Sequence, residues 1–181
     1  MLENEETCNA VVVLDANILV ASVLPTCRRK PKSGYTLIRL LALSQIYQVC
    51  MYIPERLTRF AQSKIVERCR EIAAQRNLRK SKVAEVVKRA LNSLEELLEN
   101  IGVRVIEERE YSQYLNYPLV KSIGDANDDE HLIALALYLK ETFKLNRIYV
   151  LSRDYSIPHV DDLRRVGIII TSDFCELESE S

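Results

Sequence analysis

The residues best able to do chemistry crowd into nine positions, Ile123-Gly124-Asp125-Ala126-Asn127-Asp128-Asp129-Glu130-His131. Four acids stand there, directly ahead of the apolar run LIALALYL. Like charges at helical spacing repel by a few tenths of a kcal/mol when exposed, and by more once desolvated. Two arrangements offset that cost. Acids are stabilised at the positive end of a helix dipole, where one of them can cap the helix. Alternatively, they share a divalent cation. Asp125 and Asp129 are four residues apart, so a helix starting near Asp125 places both on one face. Taken alone, the stretch leaves both arrangements open.

Two further acids stand where strands should end. AVVVL, Ala10 to Leu14, is a β-branched run typical of a strand buried on both faces, and it delivers Asp15-Ala16-Asn17 before the short apolar helix ILVASVL. RIYVL, Arg147 to Leu151, is a second such strand, ending in Ser152 and Asp154. Acids at the carboxyl ends of buried strands lie where open α/β sheets bind ligands. The plainer role for Asp15 or Asn17 is to cap the helix that follows.

The elements that must position these residues alternate in type. Further strands are expected at Cys50–Ile53, Val103–Ile106 and Gly167–Ile170, with helices over Tyr35–Tyr47, from Pro54 to about Gln75, from Val83 to about Ile101, and from the acid knot to about Thr142. CRRKPKSG, from Cys27, reads as a basic exposed loop, and EEREYSQYLNYPLVKSI has little periodicity. Its tyrosines, Tyr111, Tyr114 and Tyr117, are commoner as packed rings than as base-stacking platforms. The alternation implies a mostly parallel sheet covered on both faces. If the first and fourth strands are neighbours, Asp15, Asp154 and the acid knot meet at one edge.

The two helices from Pro54 to Ile101 form a long hairpin ended at Gly102. Between Pro54 and Asn92 eleven cations face four acids, an excess of +7 in a chain whose net charge is -1. Most such runs are solvated helix faces, but the cations at the turn, Arg76, Arg79, Lys80 and Lys82, are also suited to a phosphate backbone.

With 181 residues, 48% of them hydrophobic, the chain suits a single domain, 1–181, with its core over about 10–175 and a disordered acidic tail at about 176–181. The five cysteines are scattered without a CxxC pair, which fits reduced thiols in a cytoplasm. The acidic start argues against a secretory signal, and the run from Ala10 to Leu24 is too short to span a membrane. A soluble, cytoplasmic protein with no membrane partner is expected.

VVVLDANILVAS, GDANDDEHLIALAL and IYVLSRDY, in that order and spacing, resemble a PIN domain from about Val11 to Phe174. The resemblance implies a three-layer α/β/α sandwich with five strands in the order 3-2-1-4-5, to which the long helical hairpin would be an insertion. It implies a Mg²⁺- or Mn²⁺-dependent endoribonuclease acting on single-stranded or structured RNA. Many relatives are toxins of toxin–antitoxin pairs, so an antitoxin protein and a homodimer stand among the expected partners. On this match Asp15, Asp129 and Asp154 are catalytic and, with Asp125, bind the metal, while Asn17, Ser152 and Asp128 support them. No serine or cysteine nucleophile is required, and His131, which could support the acids beside it, reads more readily as a packed or solvated side chain than as a general base.

One position departs from the pattern. The family usually carries a Glu in the helix after the second strand where this chain has Arg59. Glu55, one turn earlier, either reaches the site in its place or pairs with Arg59 on the helix surface. A second reading follows from that departure: a PIN-like module that binds RNA or protein with weakened catalysis.

Overall fold

The computed structural model describes residues 8–23, 32–123, 128–153 and 157–172. Asp125, Asp154 and the acidic tail at 176–181 lie outside them. Five strands form one sheet: β1 (Ala10–Leu14), β2 (Val49–Pro54), β3 (Arg104–Ile106), β4 (Ile148–Leu151) and β5 (Ile168–Thr171). Their order is β3-β2-β1-β4-β5, and every pairing is parallel. β1 lies at the centre, with Val12 opposite both Met51 of β2 and Tyr149 of β4. All five of its side chains are buried, which is why it reads as an unbroken apolar run rather than an alternating one.

Parallel strands need crossovers, and here each is helical. α1 (Ala16–Val23) and α2 (Lys32–Gln45) join β1 to β2, and α3 (Glu55–Gln75) and α4 (Lys80–Asn100) join β2 to β3. The chain then reverses direction across the sheet. α5 (Glu108–Tyr111), a 3₁₀ turn (Ser112–Asn116), α6 (Pro118–Ile123) and α7 (Asp129–Thr142) lead to β4, and α8 (Val160–Arg165) leads to β5. Right-handed crossovers put the two sets of helices on opposite faces. Their packing follows suit: α1 lies against α2 and α3, and α3 against α4, whereas α7 lies against α5, α6 and the 3₁₀ turn. The result is the three-layer α/β/α sandwich expected from the sequence.

α7 is apolar on most of its circumference because it is enclosed, with the run from Asp129 to Leu137 buried except at Glu130. α3 buries only a stripe, Leu57, Ala61, Ile65, Cys69 and Ala73, at the four-residue spacing of one helix face. Burying a Leu or Ile side chain contributes roughly 1.5–3 kcal/mol. α4 ends where Gly102, at φ 63°, takes the left-handed conformation that closes a helix, and Val103 N–H donates back to Leu98 O at 3.0 Å.

The structure corrects several local expectations. Pro54 is not the first helical residue. It ends β2 opposite Ile106 with extended dihedrals (φ -62°, ψ 135°), and its fixed φ suits both roles. α2 starts at Lys32, inside the segment read as a loop. The weakly periodic segment after β3 is helical in three short pieces, each too short to show a period. Tyr111 and Tyr114 pack inside, as expected, while Tyr117 is exposed and stacks on Tyr114 with centroids 5.2 Å apart. Reduced thiols do not hold for one pair: Cys8 and Cys50 form a disulfide, with Cα atoms 5.6 Å apart, between the entry to β1 and its neighbour β2. Cys69 is a free, buried thiol whose pKa burial pushes up. Among the described residues, no helix is long and apolar enough to cross a membrane.

Candidate functional site

The strand order reverses between β1 and β4, and a crevice opens at the carboxyl ends of strands where that happens. Asp15 and Ser152 are the residues that follow those two strands. Asp15 N–H still donates to Leu151 O at 3.0 Å, and Ser152 N–H donates to Thr171 O at 3.0 Å, so the ladder fixes both backbones. Their side chains then meet. Ser152 Oγ donates to Asp15 Oδ2 at 2.6 Å, with Asp15 only 4% and Ser152 only 2% exposed.

Asn17 completes this contact from the surface. Its backbone N–H donates to Asp15 Oδ1 at 3.2 Å, and its side-chain Nδ2 donates to Asp15 Oδ2 at 3.3 Å. The first of these bonds is a helix cap, so Asp15 does cap α1, the plainer role read from the sequence. The second oxygen does something a cap does not require. It ties the end of β1 to the end of β4 across 137 residues of chain. A buried carboxylate is stable only when donors replace its lost water, and these donors converge on this one.

α7 runs from the carboxyl edge back to the start of β4, so its first turn lies on the same edge. Asp129, its first residue, is 6% exposed and sits at the positive end of the helix dipole. Asp128 precedes it in the left-handed conformation (φ 62°) and makes no side-chain cap bond. Its carboxylate is turned instead to Arg56 of α3, whose Nε lies 2.6 Å away. Capping therefore does not account for Asp128. Glu55, beside Arg56, pairs with Arg59 as an i,i+4 ion pair in which Arg59 is 73% exposed.

Of the packed and solvated placements left open for His131, the structure shows the packed one. Only 1% of it is exposed, and its Nδ1 shares a hydrogen bond with the Tyr111 hydroxyl at 3.1 Å. Burial pushes the His131 pKa down and Arg56 pushes the same way, against the opposing pull of Glu108 and Glu130. Burial likewise pushes the Tyr111 pKa well up. The enclosed imidazole and phenol rings meet edge-on, centroids 5.9 Å apart, as a packing contact.

The structure thus joins Asp15, Asn17 and Ser152 directly and puts Asp128 and Asp129 on the same edge. Asp125 and Asp154 fall outside the described residues, and among the described residues no cluster of three or more His, Cys, Asp or Glu side chains is arranged to hold a metal. As hard oxygen donors, the buried carboxylates of Asp15 and Asp129 suit Mg²⁺ or Mn²⁺.

The basic turn is not part of this edge. α3 starts there beside Arg56 and runs 21 residues, which carries the Arg76–Lys82 turn about 30 Å away. Arg79, Lys80 and Lys82 are exposed and make no ion pair among the described residues. Sequence reasoning missed the Arg56–Asp128 strap, which joins residues 72 apart, and the Tyr111–His131 contact. Neither leaves a local signal in the chain. Compared with known proteins, the sequence matches no family model and no curated protein, and the fold matches no solved structure.

Proposed function

We propose that this chain is a PIN-like, metal-dependent endoribonuclease acting on single-stranded RNA at the carboxyl ends of β1 and β4. One observation carries the reading: a buried carboxylate, Asp15, clamped by Ser152 at 2.6 Å at the point where the strand order reverses. A carboxylate buried only to cap α1 needs no donor from β4. Fixing its second oxygen from another strand is what a ligand-binding acid requires, because a site must hold its donors in place before the ligand arrives.

In this reading Asp15 and Asp129 would hold Mg²⁺ or Mn²⁺, with Asp125 and Asp154 as further ligands by the resemblance of the sequence motifs to a PIN domain. Such an ion, when bound, would supply charge neutralisation at a scissile phosphate and a more acidic water. Ser152 and Asn17 orient Asp15. Arg56 holds Asp128, fixing the backbone turn that presents Asp129. His131 is enclosed against Tyr111 and is given no role in the reaction. The toxin of a toxin–antitoxin pair is the cellular role that the motif resemblance suggests.

A second reading rests on a specific observation. Two acids at this edge already have cationic partners within the chain, Asp128 with Arg56 and Glu55 with Arg59. Fewer carboxylates are then left for a metal, as in an RNA-binding or protein-interaction module with weakened catalysis. Incubating single-stranded RNA with the protein and Mn²⁺, against an EDTA control, separates the two. The nuclease reading expects cleavage that EDTA abolishes and that Asp129→Asn reduces by at least about 10²-fold. RNA left intact, or cut equally by purified Asp129→Asn, overturns it.

A further inference from the structure

The edge of the sheet opposite Asp15 carries a second polar cleft, of about 580 Å³, where β4 and β5 begin. Three parts of the chain wall it. The last turn of α7 supplies Lys140, and the entry to β4 supplies Asn146 and Arg147. The last turn of α8 and the turn into β5 supply Arg164, Arg165 and Gly167. Four of the described residues lining the cleft are cations and none is an acid. The whole chain has a net charge of -1, so this sign is local.

A cation near a helix end is ordinarily explained by the helix, whose last carbonyls lack partners and carry the negative end of the dipole. Here the carbonyls are already served. Lys140 O accepts from Leu145 N–H at 2.9 Å, and Arg164 O accepts from Gly167 N–H at 3.0 Å. The dipole is satisfied by a cation anywhere on the last turn, facing open solvent. It does not require two helices and a strand entry to bring their cations into one cleft. Acids offset little of the crowding. Arg165 pairs with Asp162 at 3.1 Å, while Lys140 and Arg164 make no ion pair among the described residues. Gly167 is what lets the walls approach. Its φ of 82° is left-handed, and a Cβ there would collide with Asn146 O and stand 2.8 Å from Lys140 Cε. Only glycine lets Lys140 of α7 lie against the turn that follows Arg164 and Arg165.

We propose that this cleft binds a small polyphosphate anion, such as the triphosphate group of a nucleotide or inorganic triphosphate itself. Guanidinium groups meet phosphate oxygens with paired N–H donors, and an ammonium adds a point charge. Three arginines and a lysine from separate elements suit linked phosphates, each carrying its own charge, better than a single carboxylate. No aromatic ring is among the described residues lining the cleft, so it offers nothing on which a nucleic acid strand would stack its bases. That favours a small anion over RNA. The cleft lies at the other end of β4 from Ser152, and it would bind this anion whether or not Asp15 holds a metal.

Calorimetric titration of inorganic triphosphate into the full chain, dialysed beforehand against EDTA so that no metal bridges the two, tests the assignment. Wild type is expected to bind a single triphosphate, more weakly as salt rises. Lys140→Gln combined with Arg164→Gln should weaken binding by about tenfold, two exposed charge contacts being lost. Arg164→Glu, a single change at an exposed position, should do the same, with circular dichroism separating loss of charge from loss of fold. The matching change at the hairpin turn, Arg79→Gln with Lys80→Gln, should leave binding unaltered. No binding by wild type, an equal loss from the hairpin pair, or undiminished binding by the folded Lys140 and Arg164 variants would each overturn the proposal. So would an oligouridylate that binds through Lys140 and Arg164 while triphosphate does not, which would give the cleft to RNA.

Discussion

Replacing Ser152 with alanine isolates the contact on which the candidate site turns. The change removes one hydroxyl from a fully enclosed position and leaves the strand backbone alone, since Ser152 N–H is held by Thr171 O. A buried hydrogen bond to a charged group contributes roughly 1.5–3 kcal/mol. The Asn17 amide at 3.3 Å still serves Asp15 Oδ2, which argues for the lower part of that range. For a protein of this size about 1 kcal/mol moves the melting temperature by about 2–4 °C, so Ser152→Ala should lower it by about 3–8 °C. Ser152→Thr keeps the donor and should fall much less. Thermal unfolding in EDTA, followed by circular dichroism, reads the difference without any metal contribution. If Ser152→Ala melts within about 1 °C of wild type, the hydroxyl does not hold the ends of β1 and β4 together, and the reasoning from Asp15 fails with it.

Two further outcomes follow from the neighbouring residues. If Glu55 only pairs with Arg59, Glu55→Gln should cost a few tenths of a kcal/mol and leave Mn²⁺ affinity unchanged by calorimetric titration; a marked loss of affinity would instead make Glu55 a ligand. Arg59→Glu should raise that affinity if the site lacks an acid, and no change would show that the position lies out of reach. His131 predicts an acid-side loss of stability. Its pKa is lowered in the fold from an ordinary 6.5, so the unfolded chain takes up its proton first. The stabilisation is whole above about pH 6.5, declines as pH falls below that value, and levels off once the folded pKa is passed. His131→Gln should flatten that part of the profile in urea unfolding with EDTA present, and superimposable profiles would refute the assignment.

The sequence made the centre of the fold legible because β1, β4 and α7 are enclosed, and enclosure leaves long apolar runs. Asp15 and Ser152 could be read as strand ends, and Asp15, Asp154 and the acid knot could be brought to one edge, whereas the contact of Ser152 with Asp15 emerged only in the structure. Whether His131 is packed or solvated was not legible, because it stands between charged acids and an apolar helix. Less could be read where elements are short. α5, α6 and α8 span four to six residues each, under two turns, so no hydrophobic period develops. The partner of Asp128 was illegible for another reason. Arg56 looks like one more cation on a basic hairpin until α3 and α7 are seen to start at the same edge. The bond between Cys8 and Cys50 hid behind an odd cysteine count and a sequence separation of 42. Only the pairing of β1 with β2 brings those thiols together.

That bond changes how tension would travel through the molecule. Cys8 stands just before β1, and Cys50 lies in β2 opposite Val11. A pull on the amino end therefore reaches the sulfur bridge before it reaches the strand. The load divides there and passes partly into β2, so β1 cannot be drawn lengthwise from between its two neighbours like a thread from cloth. Asp15, at the far end of β1, is shielded from force arriving at the amino end. With the bridge cut, the same pull would shear β1 against β2 and β4 at once, and the strand that carries Asp15 would bear all of it.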